Sequence, residues 1–302
     1  MNKYLLFFTR LIALILIFLA IDFLIGKVMN HFYFSETSGP DYSITYTINS
    51  SKDEVLMMGS SRCSHHYVPS IMEKTLGKTA FNTGADGQGI LFNDAVLKCV
   101  LKRYTPKCII LDITDRDFIY SQSSYEKLSV LLPYYAEHKQ ELESTIDLIS
   151  PYEKIKLVSK TYPYNSKFIS MILGNKSNPS TQNKGYVPLI GSMPNDIEVT
   201  IVQQENIDSI KVNAYKNFIS TLKSSSVKLV VVVSPYYQKS SSETIKIASR
   251  IAGEMNVEFW DYSSDENYFH KKELFKDHIH LNAQGSEMFT QMLANRVKTV
   301  IN

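Results

Sequence analysis

Five short runs of apolar residues, spaced along the chain and separated by segments of helical period, constrain this fold more than any other feature. They are Glu54–Gly59, Thr79–Thr83, Cys108–Ile113, Val227–Val233 and Val257–Asp261. None shows the apolar/polar alternation of a strand with one face in water, so each reads as a strand buried on both faces. Between and after them, Val68–Leu76, Ile90–Tyr104, Ile207–Lys223, Thr244–Met255 and Ala283–Val300 have helical spacing. Doubly buried strands alternating with helices predict a parallel sheet covered on both sides, a three-layer α/β/α sandwich. The 302 residues suffice for one large domain with its own core.

The alternation lapses between Asp117 and about Glu205, which defines an insertion over residues 118–205. Helical patterns cover Tyr125–Ile149 and Tyr152–Leu173, followed by a polar stretch and then Gly185–Gly191. Excursions after strand C-termini commonly wall or cover a site, though such a segment can also simply thicken one side of the domain. The chain has 19 Tyr against one Trp, and many of them fall in this region. They either stack on sugars or fill half-buried positions.

From Leu5 to Ile25 the chain is apolar apart from Thr9, Arg10 and Asp22, long enough to span a bilayer. Lys3 and Arg10 precede the most apolar part, which predicts a cytoplasmic N-terminus and an exported remainder. Cleavage after Ala20 or Gly26 would put bulky Phe18 or Leu24 where a small residue is wanted, and no lipobox cysteine is present. A retained anchor is therefore favoured over a signal peptide. The expected organisation is an anchor over residues 1–29, a polar tether over 30–52 and an α/β domain over 53–302.

The net charge of +2, without a dense basic tract, argues against nucleic acid as a partner. Cys63, Cys99 and Cys108 are odd in number and lack a CxxC pair, so they suggest neither a disulfide framework nor a zinc site.

Two separated motifs carry chemistry. The first run ends in Met57-Met58-Gly59-Ser60-Ser61-Arg62, which places a serine where a strand turns into a helix. Near the C-terminus stands Asp277-His278-Ile279-His280-Leu281-Asn282-Ala283-Gln284-Gly285, which offers a carboxylate and an imidazole three residues apart just before a helix. Together they supply nucleophile, base and orienting acid. This pair resembles the SGNH (GDSL-like) hydrolase family, with Gly59-Ser60-Ser61 standing for Gly-Asp-Ser and Asp277-x-x-His280-Leu281-Asn282-x-x-Gly285 as the last block.

The resemblance implies a flavodoxin-like α/β fold, Ser61 as nucleophile, His280 as base and Asp277 as orienting acid. Ser60, Ser64, His278 and Cys63 are nearby competitors. It implies an oxyanion hole from the Ser61 N–H and, through Asn82-x-x-x-x-Gly87, the Gly87 N–H, with Gly84 as the weaker choice. Where relatives carry Gly-x-Asn-Asp, this chain reads Asp112-Ile113-Thr114-Asp115-Arg116-Asp117, with Arg116 where Asn would fall. Arg116 is the expected third donor, with Arg62 as the other substitute, Asn82 moving in, or a slow site as the alternatives. Arg62, Asn82 and Tyr236 are the expected substrate contacts. No cofactor or metal is implied.

The Gly-Ser-Ser opening and single anchor resemble the branch that includes DltD-type D-alanyl-lipoteichoic acid proteins and alginate O-acetylation proteins. That likeness implies a bacterial inner-membrane esterase or O-acyltransferase facing outward. Its partners would be acylated carbohydrate or envelope polymer and a membrane acyltransferase. The alternative is an inactive scaffold of the same fold that presents envelope polysaccharide.

Overall fold

The five apolar runs form the strands β1 (Val55–Met58), β2 (Ala80–Asn82), β3 (Cys108–Asp112), β4 (Lys228–Val233) and β5 (Glu258–Asp261). All pairings are parallel, and the strand order is β2-β1-β3-β4-β5. In this doubly wound order the chain reverses its winding between β1 and β3. Crevices at the carboxyl ends of strands beside such a switch point are where open α/β sheets bind ligands. The computed structural model describes residues 3–167, 169, 171, 183–193, 206–238 and 242–301.

The helices are α1 (Lys3–Phe34), α2 (Gly39–Thr45), α3 (Ser61–His66), α4 (Pro69–Leu76), α5 (Ile90–Leu101), α6 (Gln122–Glu126), α7 (Lys139–Ile146), α8 (Glu153–Lys156), α9 (Ser209–Lys223), α10 (Glu243–Glu254) and α11 (Ala283–Ile301). Alternation along each strand splits the interior into two layers. Leu56, Met58, Ile109, Leu111 and Val231 pack with α5, α7, α9 and α10. Val55, Met57, Ile110, Val230 and Val232 pack with α4 and α11. The three-layer α/β/α architecture is therefore present.

The insertion is more broken than its periodicity suggests. The expected helix over Tyr125–Ile149 is interrupted: residues Lys127–Tyr134 form a 3-10 segment containing Pro133, and α7 follows. Proline lacks the N–H that an α-helix would need there. Within the described part of Tyr152–Leu173 the pattern yields α8, a 3-10 turn at Tyr162–Tyr164 around Pro163, and helical backbone at Ile169 and Met171; residues 168, 170, 172 and 173 lie outside the described residues. Tyr125, Tyr134 and Tyr164 are buried, which favours the filling role for these tyrosines.

The stretch 30–52, expected as a tether, is folded onto the domain. It contains the end of α1, all of α2 and a π-helical turn at Tyr46–Ser50. Tyr33, Ile44 and Ile48 join the core, and Arg103 binds the carbonyls of Thr47, Ile48 and Ser51. Helix α1 is otherwise exposed and apolar, long and apolar enough to cross a membrane by length and composition.

Candidate active site

Ser60 and Ser61 do different jobs at the carboxyl end of β1. Ser60 is the N-cap of α3, its hydroxyl accepting from Arg62 N–H at 3.3 Å. Ser61 opens the helix, and its Oγ lies 2.9 Å from His280 Nε2. His280 Nδ1 is 2.9 Å from Asp277 Oδ2 and 3.1 Å from Oδ1. A carboxylate only accepts, so Nδ1 carries the proton and Nε2 takes the Ser61 hydroxyl proton. Asp277 Oδ1 also receives the backbone N–H groups of Ile279 and His280 at 2.8 and 2.9 Å. Partial burial would raise its pKa, but the His280 ring and these two amides outweigh that and hold the carboxyl well below the usual range.

The loop that carries His280 is anchored on both sides by α3. Arg62 Nη1 donates to Ile279 O at 3.1 Å, and Leu281 N–H donates to His66 Nε2 at 2.9 Å. Because a backbone N–H can only donate, His66 is neutral with its proton on Nδ1, facing Ser234 Oγ at 3.0 Å. Burial, with Arg62 and the His280 and His65 imidazoles nearby, pushes the His66 pKa far down. Asn282 then starts α11, its Oδ1 accepting from Gly285 N–H at 3.0 Å. Neither His66 nor Ser234 was singled out in the sequence; the adjacent His65-His66 pair after the serine was the available signal.

The loop after β2 presses on the start of α3. A Cβ on Gly84 would lie 2.3 Å from Ser64 N, so only glycine permits this approach. Ser64 Oγ bonds Asp86 Oδ1 at 2.8 Å and Ser61 O at 2.9 Å, which ties the Asp86-Gly87 turn to the helix that carries Ser61. Gly84 N–H is taken by Asn82 Oδ1 at 2.9 Å. The Ser61 and Gly87 N–H groups have no acceptor among the described residues. Arg116 is exposed on the turn after β3, its guanidinium making no hydrogen bond or ion pair among the described residues.

Three expected substrate contacts are corrected to scaffold. Arg62 is 2% exposed and spends its guanidinium on Ile279 O, Ser234 O, Ser234 Oγ and Pro235 O, beside Asp112 at 3.9 Å. Tyr236 is buried beneath it, 3.6 Å from ring centroid to Arg62 Cζ, and its hydroxyl reaches Asp115. Asn82 is fully buried, donating to Cys63 O and Tyr67 O at 2.7 and 2.8 Å. Successive helix residues point about 100° apart, so with Ser61 facing the cleft Arg62 turns inward. The other competitors fall away as well. Cys63 is buried, its thiol pushed up by desolvation, and His278 makes no hydrogen bond among the described residues.

Residues 183–193 of the insertion run along this rim. Val187 N–H donates to Ser64 O at 2.9 Å, and Val187 O accepts from His65 Nδ1 at 2.7 Å. Leu189 O accepts from Ala283 N–H at 2.9 Å. The segment therefore bridges the serine helix and the histidine loop, leaving Val187 and Ile190 exposed.

Fold and site define a doubly wound α/β protein with a hydrogen-bonded Ser-His-Asp constellation at its switch point. Among solved structures the chain is similar to a protein from Streptococcus pneumonia provisionally described as a platelet activating factor (12% identity, TM-score 0.43, 91% of this chain and 97% of that one). It is also similar to an acetylxylan esterase from Geobacillus stearothermophilus, solved as a catalytic mutant (9%, 0.42, 82% and 94%). A third is a lipase/acylhydrolase from Enterococcus faecalis (11%, 0.37, 82% and 95%). No protein-family model matches the chain, and no curated protein does.

Proposed function

We propose that this protein is a serine esterase or O-acyltransferase acting on acyl esters, with Ser61, His280 and Asp277 as its triad. The observation that carries the reading is the continuous chain from Ser61 Oγ through both ring nitrogens of His280 to Asp277, each step 2.9 Å. General-base positioning of this kind contributes about 10²–10⁴ in rate.

In the first half-reaction His280 Nε2 removes the Ser61 proton as Oγ attacks the ester carbonyl. Asp277 stays ionised and steadies the imidazolium. The Ser61 and Gly87 N–H groups face the developing oxyanion, and Arg116 supplies the third donor. Collapse breaks the C–O bond to the leaving alkoxide, which takes the proton back from His280 and departs as an alcohol. The acyl-Ser61 ester is then attacked by water or by a sugar hydroxyl, whose proton passes to His280 and returns to Ser61.

Carbohydrate or cell-envelope polymer, carrying acetyl groups, is the substrate class this reading favours, as in the DltD-type and alginate O-acetylation branch. Helix α1 is a retained single-pass anchor of a bacterial inner membrane with the domain outside, where a membrane acyltransferase would be its partner. The scaffold alternative predicts glycan binding without turnover. The test is hydrolysis of a small activated acetyl ester by the detergent-solubilised full chain. Wild type should turn over and Ser61→Ala should not, while equal inertness of both would leave the scaffold.

A further inference from the structure

Asp22 sits inside the apolar helix, yet its carboxylate is fully occupied by residues far away in sequence. It accepts from Ser159 Oγ and Thr161 Oγ1, each at 2.7 Å, and from the backbone N–H groups of Lys160 and Thr161 at 2.6 and 3.3 Å. One turn further along α1, Gly26 lets Lys160 approach so closely that a Cβ there would lie 2.5 Å from the Lys160 Cβ. Next, Asn30 bonds Tyr164 OH at 2.7 Å, and Tyr33 packs on Tyr164 and Tyr134. These contacts run in order along the helix, so the height of the insertion along α1 is fixed.

That height has a consequence. From Leu5 to Asp22 the helix rises about 26 Å at 1.5 Å per residue, most of the ~30 Å hydrocarbon thickness. If α1 spans a bilayer, Asp22 lies at its outer boundary, and Ser159–Thr161 lie there with it. The residues just before them bear an apolar surface: Tyr152, Ile155 and Val158 are 66%, 68% and 69% exposed. Exposed Lys156 and Lys160 stand among them, and Lys27 stands on α1 one turn past Asp22. Exposed apolar residues interleaved with lysines suit the boundary between acyl chains and anionic headgroups. A carboxylate at that depth is costly unless hydrogen-bonded, which gives a reason for the four bonds to Asp22.

We propose that residues 151–160 form a second membrane-contact element, lying at the headgroup–acyl boundary beside the exit of α1. The domain is thereby held in one orientation on the bilayer. The inference rests on α1 being a membrane span, and its test separates the two. Single cysteines at Ile155, Val158, Phe23, Ile12 and Asn295 would carry an environment-sensitive fluorophore on the full chain in liposomes containing anionic lipid; the native cysteines are buried. Asn295 is exposed on α11, across the sheet from the layer in which Leu157 and Tyr162 pack.

Nitroxide lipids labelled near the headgroup should quench the probes at Ile155 and Val158 about as strongly as the one at Phe23, and leave that at Asn295 bright. Nitroxides near the chain end should quench the probe at Ile12. Quenching at Ile12 with none at Ile155 and Val158 overturns the second contact and leaves the anchor standing. Absence of quenching at Ile12 removes the anchor and this inference with it.

Discussion

Replacing Arg62 by Met keeps most of the side-chain volume and removes the guanidinium that ties Ser61's helix to the His280 loop. Arg62 is buried against a buried carboxylate, Asp112, whose Oδ1 is taken by Tyr67 OH at 2.6 Å and Ser234 N–H at 3.1 Å. Its Oδ2 faces Arg62 and has no hydrogen-bond partner. Removing one partner of a buried ion pair costs about 3–5 kcal/mol, because a charge is left without compensation. For a domain of this size, 1 kcal/mol shifts Tm by roughly 2–4 °C, so Arg62→Met should lower it by about 6–20 °C.

The loss should depend on pH in a definite sense. Burial raises the Asp112 pKa, and Arg62 opposes that rise. Without Arg62 the carboxyl rises further, and a raised carboxylate pKa makes stability fall as pH increases from the unfolded value through the folded one. The Tm gap between Arg62→Met and wild type should therefore widen from pH 5 to pH 8, and adding Asp112→Asn should recover part of it. Thermal unfolding of the detergent-solubilised full chain, followed by intrinsic fluorescence, measures all three. Turnover should fall mainly in kcat, since Ile279 beside His280 loses its tie. An unchanged Tm together with a raised KM alone would refute the scaffold role and return Arg62 to the substrate.

Two further outcomes follow from the site and its surroundings. Arg116→Ala should lower kcat by about 10²-fold with little change in KM if its guanidinium serves the oxyanion, and unchanged steady-state kinetics would remove it from the hole. Glu36 is pushed up to about 7 by burial and by Asp41, with Lys167 opposing. Its folded pKa is above the unfolded value, so stability should fall by roughly 1–3 kcal/mol as pH rises from ~4.5 to ~7. Glu36→Gln should flatten that slope in a Tm-against-pH series, and an unchanged slope would place the titration elsewhere.

The sheet was legible because its strands are buried on both faces and so appear as nearly unbroken apolar runs. Each expected strand matches an observed one to within a residue or two at its ends. The placement of Ser61, Asp277 and His280 was legible because each motif is contiguous and lies at a strand or helix end. What a residue faces was not. Arg62, Asn82 and Tyr236 look like polar cleft residues in sequence, and only the turn of α3 and the packing beneath it direct them inward. The folded state of residues 30–52 was hidden because Ile44 and Ile48 are scattered among polar neighbours. The partners of Asp22 lie more than 130 residues away, and no local pattern announces them.

The triad stands or falls on whether His280 activates Ser61 and leaves Ser60 a helix cap. A fluorophosphonate reacts covalently only with an activated serine, so the site of its adduct, read by peptide mass spectrometry on the full chain, tests this most directly. One adduct should form, on Ser61, persisting in Ser60→Ala and lost in both Ser61→Ala and His280→Ala, since triad members act as a unit. An adduct on Ser60 or Ser64, or labelling of Ser61 undiminished in His280→Ala, would contradict it.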